Sequence, residues 1–556
     1  MYIIRVFIRV KGSPTTKKKY LQICKGTYVN GRTSHKVIGS LGAIDDLVES
    51  GEVEKLIFSL NKILSEYNSA LPIQETLIPN LKELKRYQWG GVKIIEKLWE
   101  IFEMDSFIKS ETKKENINVE FDFRNILLLL VLDRFMNPRS KLKTYEKANE
   151  YFGISNEEIA LHHIYRSLDV LAELKPNLEK HLFDINTNLF NMKVDVVFYD
   201  ATTIYFESKK ADSLKDFGYN KDCKFNDVQV VLGLLMDQEG RPVGFEIFPG
   251  NTFDGHTVVQ SLNSLKEKFS INKLIFVGDR GICNRENLKS IVKAGYEYIV
   301  GMPVKRESKS IKEKALDLDS YESIFLTGLG ETELLKYKTI DRICELQNKE
   351  EELTAVTEKI VCTWTQSRAK KDAHDREVLI EKAKEVLEGK SKLRKSGKAK
   401  YLSVKEEVQY LDEAKILEDK KWDGIYTIRT NTTLSKEEIC SQYHQLWKIE
   451  ECFRVMKSHL KIRPVYHWKP SRITGHLVLC FLTFALERHL EIELQKNNLK
   501  LSPARIRDEI YQMQASLVEV NDREYLMRST VETDGKNILK MLNISMPQDL
   551  SLVNQF

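Results

Sequence analysis

VDVVFYDATT at Val194–Thr203 and LIFVGDRG at Leu274–Gly281 decide how the rest of the chain is read. Each runs apolar residues of both parities straight into an aspartate, Asp200 or Asp279, the pattern of a strand buried on both faces. In α/β sheets ligands gather at the carboxyl ends of such strands, so both acids are candidate site residues. Gly278 and Gly281 flank the Asp279–Arg280 pair and let the backbone turn tightly there. Each acid alone also has a plain structural reading. Asp200 suits a turn or cap, because its short side chain accepts backbone hydrogen bonds. Asp279 suits a surface ion pair with Arg280, an arrangement worth little by itself.

Working outward, Val228–Met236 and Val243–Phe248 read as further strands, while Gly255–Phe269 and Arg285–Ala294 suit helices. Three strands in succession followed by helix, strand, helix and strand predict an α/β layout. After Pro303 the pattern is interrupted as far as Lys421 by mixed strand signals and a helix-like segment at Arg368–Leu387, which predicts an insertion. Within it GKSKLRKSGKAK at Gly389–Lys400 carries six basic residues and no acid, the composition of an exposed loop. Strand signals resume at Gly424–Ile428, and one amphipathic helix is predicted from Ser435 to His459. Asp237 in MDQEGRPVG fits a hairpin turn, and Asp254 in GNTFDGHT fits a helix cap, with His256 unassigned.

The segment YHQLWKIEECFRVMKSHLKIRP, Tyr443–Pro464, sorts into faces at 100° per residue. Leu446, Ile449, Phe453, Met456 and Leu460 form an apolar stripe. Beside it run Tyr443, Trp447, Glu450, Arg454, Lys457 and Lys461: one acid among cations and two aromatics. An ordinary surface helix with spaced ion pairs has the same look. Two strand-end acids and a helix acid, however, are the donor set that hard divalent cations use, since these prefer oxygen ligands.

Composition bounds the rest. Hydrophobic residues make up 42% and charged residues 30% of 556, which excludes a mostly disordered chain and predicts several domains. With 86 Lys+Arg against 81 Asp+Glu the net charge is only +5, so the local distribution matters more than the sum. Met1–Ile44 holds nine basic residues and no acid, and Ser441–Gly475 holds seven basic against two acidic, two regions that suit a polyanion. The eight cysteines form no CxxC pair or zinc-spaced cluster, which predicts neither a disulfide framework nor a zinc site. Leu477–Leu486 is too short to span a bilayer and MYIIRVFIRV lacks a signal peptide's apolar block, so a cytoplasmic protein without a membrane partner is expected. The predicted units are a basic β module (1–46), a helical domain (47–189), an α/β core in two parts (190–303 and 422–490), a mainly β insertion (304–421) and a C-terminal helical region (491–556).

Taken together the motifs resemble the DDE transposases of bacterial insertion sequences, in the group with a tyrosine-arginine-glutamate-lysine signature. Tyr443, Glu450 and Lys457 occupy their places at the spacing Y-(2)-R-(3)-E-(6)-K, while Leu446 stands where the arginine belongs. YDATT, GDRG, the tripeptide PGN at Pro249–Asn251 and the large insertion before the glutamate extend the resemblance over Asp195–Leu486. It implies a ribonuclease H-like catalytic core in which Asp200, Asp279 and Glu450 are catalytic and hold two Mg²⁺ ions, with Mn²⁺ able to substitute. It also implies double-stranded DNA with terminal inverted repeats and target DNA as partners, a DNA-binding role for the helical domain 47–189, and a homodimer on DNA.

By the same resemblance Tyr443 and Lys457 grip the phosphate backbone, with Lys448 or Arg454 replacing the missing arginine. Trp447 either stacks on a displaced base or belongs to the core, and Arg454, Lys461 and Arg463 are further backbone contacts. Two competing functions stay open: a catalytically silent element-derived DNA-binding protein, and a stand-alone ribonuclease H-like nuclease that cuts without joining.

Overall fold

The computed structural model describes residues 3–12, 18–29, 32–67, 82–155, 157, 159–190, 195–218, 226–252, 257–269, 271, 274–282, 284–328, 331–346, 354–389, 400–405, 408–520 and 523–553. The expected cap Asp254, the neighbouring His256 and most of the basic loop at Gly389–Lys400 lie outside them. By its internal contacts the chain divides into Met1–Lys82 with Val520–Arg523, and Glu83–Glu519 with Glu524–Phe556.

In the first unit, β1 (Ile3–Gly12), β2 (Lys19–Val29) and β3 (Arg32–Ala43) form an antiparallel meander. The β2–β3 pairing reaches Val29↔Arg32, and Asn30–Gly31 between them lies outside the described residues. The helices Ile44–Glu49 and Glu52–Tyr67 follow.

The second unit opens with β4 (Lys82–Gln88) and a run of helices from Gly90 to Phe190. Phe123–Met136 is buried on all sides, as the apolar run at its centre predicts, and Asp122 caps it by accepting from the Asn125 N–H at 2.9 Å. These helices surround Pro470–Lys496, a helix apolar around its whole circumference because it packs on Leu161–Glu173 and Phe123–Met136 as well as on the sheet. Close packing there depends on Gly475: an added Cβ would collide with the backbone carbonyl of Leu168. Among the described residues no helix is long and apolar enough to cross a membrane.

The main sheet contains β5 (Val196–Tyr205), β6 (Gln229–Met236), β7 (Pro242–Pro249), β8 (Ile275–Gly278), β9 (Glu297–Gly301), β10 (Glu322–Gly328), β11 (Glu331–Leu346), β12 (Thr354–Thr365) and β15 (Ile425–Thr430). A two-stranded ribbon, β13 (Leu402–Lys405) and β14 (Val408–Leu411), lies between β12 and β15 in the chain. The order of the nine is β10-β11-β12-β15-β9-β8-β5-β6-β7. β5, β8 and β9 run parallel, and every other neighbour is antiparallel. The segment 304–421, expected as an insertion, thus contributes three strands that pair through β12 with β15 and widen the sheet. The C-terminal segment 491–556 differs from its helical expectation. Beside the helices Pro503–Gln512 and Thr533–Met541 it holds β16 (Gln514–Val520), β17 (Arg523–Arg528) and β18 (Leu550–Leu552), in a sheet ordered β18-β17-β16-β4. Only Ala515 and Val518 of β16 are buried, three residues apart, so no period-two alternation marks it as a strand.

Candidate active site

The parallel register of β5 and β8 aligns the two aspartates. Tyr199 lies opposite Gly278, so Asp200 and Asp279 are each the next residue on neighbouring strands about 4.8 Å apart. Asp200 is not at a strand end, as the sequence predicts; β5 continues to Tyr205 along β6, with Asp200 opposite Leu234, while β8 stops at Gly278. The parallel neighbour ends, the antiparallel one does not, and a notch opens beside Asp200. The Asp200 carboxylate accepts from the Ala201 N–H at 2.8 Å, and that of Asp279 accepts from Gly281 at 2.7 Å and Ile282 at 3.3 Å. Asp237 is a hairpin residue, accepting from the Arg241 N–H at 2.7 Å between β6 and β7.

The third acid arrives on a broken helix. Ser435 and Glu438 form a reciprocal capping box that starts Lys436–His444. The chain turns at Gln445–Leu446, so the single helix expected from Ser435 to His459 is interrupted, then resumes at Trp447–Arg454 and widens into a π-helical turn at Val455–His459. Ile449, Phe453, Met456 and Leu460 are buried as the apolar stripe predicts, and pack in one core with Val196, Phe198 and Ile204 of β5. Glu450 is left exposed beside that strand.

One cavity of about 1430 Å³ gathers these elements. Its walls include Asp200, Asp279, Glu450, Tyr443 and Lys457, five of the residues expected from sequence. Lys457 donates from Nζ to Thr202 Oγ1, joining the π turn to β5 two residues beyond Asp200. The Tyr443 and Tyr426 hydroxyls hydrogen-bond to each other, with ring centroids 5.2 Å apart. Burial, then the neighbouring Tyr426 and Asp279, push the Tyr443 hydroxyl above its ordinary range, so it stays a neutral phenol at physiological pH.

Four expected contacts do not line this cavity: Trp447, Arg454, Lys461 and Arg463. Arg454 pairs instead with Glu451 at 3.0 Å. The π turn shifts the angular phase after Arg454, which brings Lys457 to β5 and leaves Arg454 outside. Lys461 lies past the helix end with φ 44°, and the Arg463 guanidinium sits 5.1 Å from the Tyr205 ring centroid. Neither substitute for the arginine at position 446 stands at the cavity. Lys448 donates to the Gln238 carbonyl and to Gln445 Oε1, on the β6–β7 turn.

Other cations line the walls instead: Arg280, Lys305, Arg306 and Arg368. Arg280 and Arg306 follow the ends of β8 and β9, a placement that a strand-end search for basic residues would have found. Arg368 begins the helix Gln366–Leu387, capped by Thr365, and lies 4.7 Å over the Tyr426 ring. Its place at the cavity comes from the pairing of β12 with β15 and has no local signal.

The donor chemistry suits a hard cation, but the spacing departs from the expected ready-made cluster. Among the described residues no three His, Cys, Asp or Glu side chains group closely enough to hold one ion. The reason is local: Asp200 and Asp279 are turned to their own backbone N–H groups, and Glu450 stands on the separate helical wall. Mg²⁺ characteristically takes one or two carboxylates and completes its shell with water and substrate phosphates, and this looser arrangement fits that mode.

The fold and cavity define a mixed α/β protein with a large sheet whose parallel centre presents acids to a basic-walled cleft. Residues 192–486 match the family described as Transposase DDE domain, and the chain belongs to that family. Among solved structures it is similar to the piggyBac transposase in a synaptic complex with hairpin DNA, at 9% identity over 71% of this chain and 80% of that one, with a TM-score of 0.33. It is also similar to the Mos1 transposase in a paired-end complex with the left transposon end, at 14% identity over 33% and 60%, with a TM-score of 0.15. No curated protein matches the chain.

Proposed function

We propose that this chain is the transposase of a bacterial insertion sequence, a DNA nuclease and strand transferase acting as a homodimer on the element's terminal inverted repeats. The observation that carries this reading is that acids from β5, β8 and a distant helix face one basic-walled cavity within the matched domain. Parallel β5 and β8 flanked by antiparallel β6 and β7 support a ribonuclease H-like core, and 47–189 would be the DNA-binding domain of this reading.

Asp200, Asp279 and Glu450 would hold two Mg²⁺ ions, or Mn²⁺ in their place. Bound there, such ions make water or a DNA 3′-hydroxyl nucleophilic and stabilise the leaving oxygen. The remaining roles belong to the chain itself. Arg280, Arg306 and Arg368 supply fork-shaped donors suited to phosphate oxygens. The N-terminus of Gln366–Leu387 faces the cavity through Thr365, Ser367 and Arg368, and the positive end of its helix dipole favours an anion. Tyr443, kept protonated by its surroundings, donates without adding charge, and Lys457 holds the backbone beside Thr202.

Glu450→Gln tests the reading directly. The variant should bind inverted-repeat DNA like the native chain and lose Mg²⁺-dependent cutting by orders of magnitude; full cutting activity would remove the proposal. Joining of a labelled 3′-hydroxyl end to target DNA separates a transposase from a nuclease that only cuts.

A further inference from the structure

Beyond the π turn the chain carries a surface that the cavity does not use. From Leu460 to Arg472 there are four lysines and arginines and no acid. Every aliphatic side chain of this segment, Leu460, Ile462 and Val465, is buried, yet Tyr466 is 60% and Trp468 76% exposed. Two large aromatics thus stand in water two residues apart, with a lysine next to Trp468 and another at Lys461.

The backbone beneath them is held firmly. The Val465 N–H donates to the Tyr205 carbonyl at 3.2 Å, docking the segment against the end of β5, the strand that bears Asp200 and Thr202. His467 turns inward, its ring 5.4 Å from buried His476, whose Nε2 is 3.2 Å from the Ile462 carbonyl. Lys215 donates to the Trp468 carbonyl at 3.5 Å and pairs with Asp212 at 3.1 Å. Inward residues thus clamp the segment while Tyr466 and Trp468 face out, with exposed Lys461 and Lys469 on either side.

We propose that Tyr466 and Trp468 form a stacking platform for unpaired bases of a DNA strand that leads to or from the cavity. This rests on the reading of the chain as a DNA-processing transposase and names a substrate feature of the same site. Aromatic faces stack on any base, and flanking lysines track its phosphates; this combination is how single strands are bound without sequence preference. A protein-docking surface also uses Tyr and Trp but is poor in lysine, whereas Lys461 and Lys469 flank both rings here. The expected stacking residue Trp447 lies outside the cavity wall, so the platform places that role downstream of the helix.

The test measures binding of the full chain to fluorescein-labelled duplex DNA, blunt or with a thymidine overhang, at fixed salt. The native chain should bind the overhang duplex on the order of tenfold tighter, in line with the strength of base–aromatic stacking. The double variant Tyr466→Ala, Trp468→Ala should lose that advantage and keep its affinity for the blunt duplex, with an unchanged salt dependence. Tyr466→Phe with Trp468→Phe should retain the advantage, which a merely structural role would not predict. Absence of any overhang advantage in the native chain, or its persistence in the alanine pair, overturns the platform. Preference for an RNA overhang overturns the assignment to DNA, and loss of self-association in the alanine pair without an overhang effect makes the surface a protein interface. Failure of the native chain to bind either duplex would instead sink the DNA-processing reading itself.

Discussion

Gly301 ends β9 at the point where three parts of the cavity meet, and adding one methyl group there tests the geometry. A Cβ on Gly301 would fall 2.6 Å from the Tyr443 hydroxyl oxygen and 3.0 Å from the Arg280 backbone nitrogen, with the Tyr426 hydroxyl closer still. Non-bonded atoms need roughly 3.5 Å, so Tyr443 must retreat by about 1 Å and Tyr426 by more. Both rings are largely enclosed, and overpacking of this kind costs about 1–3 kcal/mol. Gly301→Ala should therefore lower the urea midpoint of unfolding, read by tryptophan fluorescence. It should also reduce DNA cutting by up to about a hundredfold, since a misplacement near 1 Å has effects of that order. The strain can be located by a double-mutant cycle. Tyr426→Phe removes the tightest contact at the cost of one hydrogen bond, about 1 kcal/mol, so the double variant should be more stable than additivity predicts. Native-like stability and cutting in Gly301→Ala, or strict additivity in the cycle, would refute the close approach and with it the positioning of Tyr443.

Three further outcomes follow from the packing and charge. Lys457→Ala should weaken DNA binding and lower the salt slope by about one, the signature of a lost phosphate contact; an unchanged slope would place Lys457 outside the DNA path. Gly475→Ala should lower thermal stability even though alanine favours a helix by about 1 kcal/mol, because the Leu168 carbonyl is backbone and cannot swing away; a raised midpoint would contradict this. Burial, then neighbouring Glu491, push the Glu487 carboxyl from 4.5 up to about 8, and among the described residues neither of its oxygens has a hydrogen-bond partner. A raised carboxyl pKa contributes stability fully present below about pH 4.5 and lost as pH rises through about 8. Glu487→Met should flatten the fall in stability across that window and stabilise the chain at pH 7 by roughly 3 kcal/mol, checked by urea unfolding at several pH values.

The strands of the sheet's centre were legible because their signal is local: both-parity apolar runs at Val196–Tyr199 and Ile275–Gly278, each followed by an acid. The buried stripe Ile449–Phe453–Met456–Leu460 was legible for the same reason, since it depends only on helical periodicity. Where readings missed, a longer-range effect intervened. Nothing near Asp200 indicates that β6 extends β5 five residues past it, and no local pattern announces the turn at Gln445–Leu446 or the π turn that separates Lys457 from Arg454. The C-terminal strands β16–β18 were hidden among helical signals, because a half-exposed strand needs its partners to be stable.

By itself the amino-acid order determined which residues could do chemistry, the acids after apolar strands and the lysine and tyrosine on an amphipathic segment, because those properties are carried by each residue and its near neighbours. Tertiary structure alone decided which of them share a wall. Strand order brings β12 and its following helix beside β15, so Arg368 enters the cavity, while helix phase turns Arg454 and Trp447 away from it and Lys461 falls past the helix end. Which residues become neighbours is set by burial and pairing summed over the whole chain, and no short window of sequence contains that sum.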